Sequence, residues 1–142
     1  MTVPRPPLDR RAAIRIMHGA MVAGVLLLTA VFGFLLTSVH PGGLVPSLPG
    51  WLNVVGYALI VPVVVVTTIM GRRVEERAAA EDIDAWSVRH LGTLIVIWAV
   101  AEGGYLAGAV LWLLTGRHEL LAVLGVFLLV LLLYRPTRYL GD

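Results

Sequence analysis

The sequence predicts an all-α integral membrane protein with four transmembrane helices. Three observations support this fold class: an unusually apolar composition, four long apolar runs, and arginines that cluster between alternate runs. Of the 142 residues, 58% are hydrophobic and 14% are charged, whereas soluble domains average about 45–50% and about 25%. The chain has no cysteine, which excludes disulfide scaffolds, iron–sulfur clusters and cysteine nucleophiles.

The four apolar runs are the predicted membrane spans. They cover residues 16–39, 51–70, 91–114 and 120–134. Crossing the hydrocarbon takes about 20 helical residues, so the first three runs are long enough. The first run is also too long for the apolar region of a signal peptide, about 7–15 residues, and we expect it to be retained. The fourth run covers only about 22 Å as a helix, so we expect it to borrow flanking residues or to lie in locally thinned bilayer.

The eleven basic residues are all arginines, and their distribution predicts the orientation. With four alternating helices, ten of them fall on one side: Arg5, Arg10, Arg11, Arg15, Arg72, Arg73, Arg77, Arg89, Arg135 and Arg138. Only Arg117 falls on the other side. Because arginine in short loops marks the cytoplasmic face, both termini are predicted to be cytoplasmic, in the inner membrane of a bacterium. The net charge of +2 then reflects topology and contact with anionic lipid headgroups, and nucleic-acid binding is not expected.

The spans divide the chain into five segments. These are an arginine-rich N-terminus at 1–15, a first helical hairpin at 16–70, a cytoplasmic loop at 71–90, a second hairpin at 91–134 and a cytoplasmic tail at 135–142. A weak similarity between the two halves favours tandem hairpins of the same orientation. The loop carries Arg77 and Glu81 at i,i+4 spacing, so we expect a helix there that continues the second span, followed by Trp86 as an interface anchor.

Glu102 is the one acid inside a predicted span. A charged carboxyl at that depth costs about 2.5–3.5 kcal/mol, so we expect a partner for it. One hypothesis is that a neutral Glu102 donates a hydrogen bond to a backbone carbonyl of the second span, because Pro62 kinks that helix and removes a donor there. The other is that Glu102 binds and releases a proton or a cation.

Small residues four apart predict close helix packing. They form the pairs Gly19/Ala23, Ala20/Gly24 and Gly104/Gly108. His18 and His90 lie near the cytoplasmic ends of two spans, where two imidazoles on facing helices can ligate a haem iron. The alternative is that both are interfacial histidines in contact with headgroups. The sequence contains no catalytic motif and no other metal motif.

Two resemblances rest on the residues around Glu102. Ala99–Tyr105, within Trp51–Leu114, resembles the carboxylate-bearing helix of the proteolipid hairpin of rotary ATPases, and this resemblance implies an ion-binding role for Glu102. The glycine-rich first helix of that family is absent and the loop here is much longer. The layout of the whole chain also resembles small uncharacterised bacterial four-helix membrane proteins, through Ala99–Gly103 (Ala-x-x-Glu-Gly) and the tail segment Arg135-Pro136-Thr137.

The sequence therefore predicts a small non-enzymatic integral membrane protein. We expect a structural or accessory subunit of a membrane complex, or a self-associating bundle, with lipids, other membrane subunits or further copies as partners. Bound lipid is expected and no cofactor. The alternatives are proton or cation translocation at Glu102 and a haem-bearing electron carrier that uses His18 and His90.

Overall fold

The computed structural model describes residues 9–141, which form six helices and contain no strand. Their bounds are α1 Arg10–Ser38, α2 Leu52–Ala58, α3 Ile60–Gly71, α4 Ile83–Thr115, α5 Leu120–Leu133 and α6 Pro136–Leu140. Four segments are long and apolar enough to cross a membrane: α1, α2 with α3, α4, and α5 with α6. The prediction of an all-α protein with four such helices is confirmed.

Local sequence explains several helix ends. The Asp9 side chain accepts a hydrogen bond from the Arg11 backbone N–H and caps α1. Helix α4 ends at Gly116, which has a left-handed φ of 66° that glycine adopts without strain. Helix α5 ends before Pro136, because proline holds the preceding residue in an extended conformation, and Pro136 then begins α6.

The second span is interrupted at Leu59, between α2 and α3. Pro62 follows in the first turn of α3, where a missing N–H is tolerated. The same missing N–H leaves the carbonyl of Ala58 without its usual helical donor. The interruption of this span therefore lies close to Pro62.

Helix α4 is the centre of the bundle, because α1, α3 and α5 all pack on it. Helix α1 runs parallel to α4: Arg10 donates to the Ser87 hydroxyl near the start of both helices, and the Thr29 and Tyr105 hydroxyls are hydrogen-bonded further along. The largest fully buried side chains include Trp98 of α4 and Phe127 of α5. The core therefore follows the contact between α4 and its three neighbours.

The predicted helix in the 71–90 loop is wrong for residues 72–82, which are not helical. The backbone N–H of Arg77 donates instead to the carbonyl of Tyr139 (2.8 Å), and its Nε donates to that of Leu140 (3.3 Å). The guanidinium also donates to the backbone carbonyl of Glu81, so the two residues are not paired through their side chains. Docking against α6 thus overrides the local helix propensity.

Trp86 was expected at the interface, and this expectation is also wrong. Its side chain is fully buried, and its Nε1–H donates to the carbonyl of Glu75 (2.9 Å). Because the loop folds back over the start of α4, the ring is covered by protein. Trp51, in contrast, is 61% exposed.

At the opposite end, the loop between α1 and α2 is tied to the end of α4. The N–H groups of Leu44 and Val45 donate to the carbonyls of Leu113 (3.0 Å) and Leu114 (2.8 Å), which lack partners within their own helix. The contact requires Gly116, since a Cβ there would lie 2.3 Å from the carbonyl carbon of Gly42.

Candidate functional site

Glu102 lies on α4 at the border between its buried and its exposed faces, and its side chain is half-buried. Among residues 9–141, its carboxyl takes part in no hydrogen bond and no ion pair. Arg10 with Asp84 and Arg89 with Glu81 form the ion pairs of the described part of the chain, both at the α4 start. The one acid predicted inside the bilayer is therefore left without a partner among the described residues.

Helix rotation explains why Glu102 does not bond near Pro62, as one hypothesis required. Gly104 faces α3 and α5, because a Cβ at that position would lie 3.0 Å from Val63 Cγ2 and from Phe127 Cζ. Each helical residue turns by about 100°, so Glu102 is turned by about 200° from Gly104. Its side chain thus points away from α3, and the hypothesis of a bond to that helix is wrong.

An exposed face of α4 surrounds Glu102, and we call it the α4 outer face: Ala99, Glu102, Gly103 and Leu106. Ala99, Gly103 and Leu106 are exposed. A Cβ on Gly103 would meet no atom within 4 Å, so no residue in 9–141 covers this position. Ala99 and Gly103 are four residues apart and form a small-residue pair beside the acid. Sequence reasoning missed this pair, although its spacing is the same as that of the pairs it selected.

The small-residue pairs predicted from the sequence separate into two groups. Gly104 and Gly108 are buried, and a Cβ on Gly108 would lie 3.0 Å from Leu124 Cδ2. They let α4 approach α3 and α5 closely. The four residues of α1 are exposed: Gly19, Ala20, Ala23 and Gly24. No atom comes within 4 Å of a Cβ built on Gly19 or Gly24, so this surface packs no helix of the described chain.

His18 is buried inside the bundle. Its Nε2–H donates to the carbonyl of Leu131 at 2.9 Å, and its ring packs on that of Trp98 with a centroid distance of 5.0 Å. Trp98 Nε1–H in turn donates to the carbonyl of Tyr134 (2.8 Å). The last carbonyls of a helix lack intrahelical donors, so the two rings cap the end of α5. Sequence reasoning missed this role.

His90 is also buried, and its ring packs on Trp86 with a centroid distance of 5.5 Å. Ligation of a haem iron by this histidine and His18 would need an imidazole nitrogen of each to face the metal. The Nε2 of His18 is already bonded to the Leu131 carbonyl, and Trp98 occupies the space beside it. The residues present do not fit a bis-histidine haem site. Within residues 9–141, no group of three or more His, Asp or Glu side chains is arranged to hold a metal ion.

Charge is strongly asymmetric along the bundle. The start of α1, the loop after α3, the start of α4 and α6 meet at one end, which we call the arginine-rich end. It carries Arg10, Arg11, Arg15, Arg72, Arg73, Arg77, Arg89, Arg135 and Arg138. Arg5 lies outside the described residues, and Arg117 lies at the opposite end, where it donates to the carbonyl of Gly50 (3.3 Å).

Two features thus distinguish the surface of the bundle: an unpartnered acid beside an open glycine on α4, and a cationic end. Comparison with known proteins adds no identity. No family model matches the sequence, and neither a curated protein nor a solved structure is found to be similar to it.

Proposed function

We propose that the protein is a small non-enzymatic membrane subunit that self-associates through the α4 outer face. The observation that supports this is the half-buried Glu102 carboxyl, which has no partner among residues 9–141 and lies next to the uncovered Gly103. Polar side chains in hydrocarbon are costly unless they are paired. Association of two α4 helices removes this cost.

The composition of the face suits close contact. Ala99 and Gly103 let a second helix approach, as small-residue pairs do in membranes. A neutral carboxyl both donates and accepts a hydrogen bond. Two copies of Glu102 are thereby able to pair reciprocally across a two-fold axis, the commonest symmetry of homo-oligomers.

The test is the mass of the full chain in lipid nanodiscs and in mild detergent. We expect an oligomer for the native sequence and for Glu102→Gln, which keeps a donor and an acceptor. Glu102→Leu is expected to weaken association by about 3–20-fold, the range of interhelical hydrogen bonds of about 0.6–1.7 kcal/mol. Gly103→Leu is expected to abolish it through steric exclusion.

The matched control is Gly125→Leu, a change at an exposed glycine of α5 that also meets no atom within 4 Å. This variant should associate like the native chain. A monomer at all concentrations of the native chain, or equal weakening by the control, would contradict self-association. A native chain that is monomeric when pure but oligomeric in crude membranes would point to a different membrane subunit as the partner.

A second candidate function, binding of a proton or a cation, also rests on Glu102, because its carboxyl is only half-buried and is not hydrogen-bonded. Carbodiimide labelling tests it: we expect labelling of Glu102 that a bound cation prevents. Glu102→Gln separates the two functions, since it abolishes labelling while it preserves association. Labelling that no cation prevents at any pH would leave association as the function.

We further propose that the protein lies in the inner membrane of a bacterium with both termini in the cytoplasm. The arginine-rich end supports this, since arginine is retained on the cytoplasmic side. Reporter fusions after residue 142 should be active only with a cytoplasmic reporter, and insertions after Gly42 only with an external one. The reverse pattern would overturn the orientation.

A further inference from the structure

A groove lies between α1 and the junction of α5 with α6, at the arginine-rich end. Its volume is about 510 Å³, which is within the usual range of sites for small ligands. One wall contains Arg15, Gly19 and Ala23 of α1, and the other contains Leu132 and Arg135.

The groove has a cationic rim and an apolar floor. Arg15 and Arg135 lie at the rim with the hydroxyl of Thr137. Because α1 rises by about 5.4 Å per turn, Gly19 and Ala23 lie about one and two turns deeper than Arg15. The groove is thus cationic at the end of the bundle and apolar deeper along α1. A phospholipid has the matching order of groups, with a charged phosphate at one end and apolar acyl chains below it.

The rim is suited to a phosphate group. Arg15 donates one hydrogen bond to the carbonyl of Gly141 (3.1 Å), and a guanidinium has five N–H donors in all. Neither Arg15 nor Arg135 forms an ion pair with another residue in 9–141, and no acidic side chain lines the groove. Arginine binds phosphate oxygens through two parallel hydrogen bonds.

A second groove, of about 560 Å³, also lies at the α5–α6 junction and shares Leu132, Arg135 and Thr137 with the first. Arg138 is also part of its lining, and three leucines of α5 supply its apolar surface. The positive charge is therefore concentrated at the junction itself, where it adds to the preference for an anionic ligand over a neutral one.

The small residues of the floor have no other role in the described chain. Gly19 and Ala23 pack no helix, and a Cβ on Gly19 would meet no atom within 4 Å. We propose that the groove binds one anionic phospholipid, with its phosphate between Arg15 and Arg135 and an acyl chain along Gly19, Ala23 and Leu132.

Native mass spectrometry of the full chain in neutral detergent tests this site. The probes are phosphatidylglycerol and phosphatidylcholine with the same acyl chains. We expect phosphatidylglycerol to bind more tightly, and the double variant Arg15→Gln/Arg135→Gln to weaken its binding by about 25-fold, since one arginine near anionic lipid contributes about fivefold. The control Arg72→Gln/Arg73→Gln removes the same charge at the same end but outside both grooves, and should change the affinity less than twofold.

Gly19→Leu tests the floor without a change of charge. It should weaken binding of both lipids at least fivefold, whereas Gly125→Leu should weaken neither. Inorganic phosphate at millimolar concentration should not displace phosphatidylglycerol, and displacement would show a phosphate site in place of a lipid site. Equal affinity for the two lipids, or equal weakening by the arginine control pair, would overturn the proposal. If the double arginine variant does not fold, Gly19→Leu decides alone.

Discussion

At the scale of single residues, two adjacent glycines of α4 have opposite surroundings. Gly104 is enclosed by Val63 and Phe127, while no atom of residues 9–141 covers Gly103. Gly104 therefore packs inside one chain, and Gly103 is open to the contact between chains proposed above.

Leucine at each glycine separates these roles. Gly104→Leu should lower the free energy of unfolding by about 1–3 kcal/mol, because the added side chain overpacks a filled space. Gly103→Leu should change it by less than about 0.5 kcal/mol, as is usual for exposed positions. The measurement is unfolding of the monomer in mixed micelles with increasing SDS. Equal destabilisation by both changes would contradict the rotation of α4 described above.

A second prediction concerns the donors that cap the end of α5. Trp98→Phe keeps most of the ring but leaves the part-buried carbonyl of Tyr134 without its donor. The expected loss is about 1–3 kcal/mol of unfolding free energy. Trp51→Phe, at an exposed tryptophan, is the control in the same SDS titration and should have little effect. A Trp98→Phe variant as stable as the native chain would mean that the carbonyl is satisfied in another way.

Residue-scale prediction from sequence succeeded in part. Glu102 is identifiable because it is the one acid within a long apolar run. The side of α4 to which its side chain points is not identifiable from the sequence. Ala99/Gly103 and Gly104/Gly108 have the same spacing, and only the packing of neighbouring helices decides which pair is buried.

At the scale of elements, the loop at 72–82 and α6 form one layer at the arginine-rich end. Arg77 connects them through its bonds to Tyr139 and Leu140. The four spans are predictable because hydrocarbon imposes a length on each apolar run. The conformation of the loop at 72–82 is not predictable in this way, because the residues that Arg77 contacts in α6 lie far along the chain and no local pattern indicates them.

Arg77→Ala should loosen this layer without unfolding the spans. The side-chain bonds to the carbonyls of Leu140, Ala78 and Glu81 are lost, so amide hydrogen exchange should accelerate in residues 72–82 and 136–141. Arg72→Ala, at an exposed arginine of the same loop, should leave these rates nearly unchanged. Unchanged exchange in the Arg77 variant would show that backbone bonds alone hold the layer.

At the scale of the whole molecule, burial is unevenly shared among the spans. In the most apolar window of α1, 11% of residues are buried, against 39% in α4 and 39% in the span of α5 and α6. Most of the buried residues therefore belong to the last two spans, and the second span is only 17% buried.

This distribution predicts that residues 44–142 keep their fold when α1 is removed. The fragment should retain helical circular dichroism in detergent and melt cooperatively, at a lower temperature than the full chain, because it loses the His18 bond to Leu131. A fragment with no cooperative transition would show that α1 is required for the core.

The parallel packing of α1 on α4 has a consequence for biosynthesis. A ribosome synthesises α1 first, then the interrupted second span, and only later α4, to which α1 is hydrogen-bonded through Thr29 and Tyr105. Until α4 enters the bilayer, the newly synthesised α1 is surrounded by lipid and lacks its contacts with α4. We therefore expect assembly to depend on the synthesis of the third span, and a nascent chain stalled before it to leave the first helix accessible to chaperones and membrane proteases.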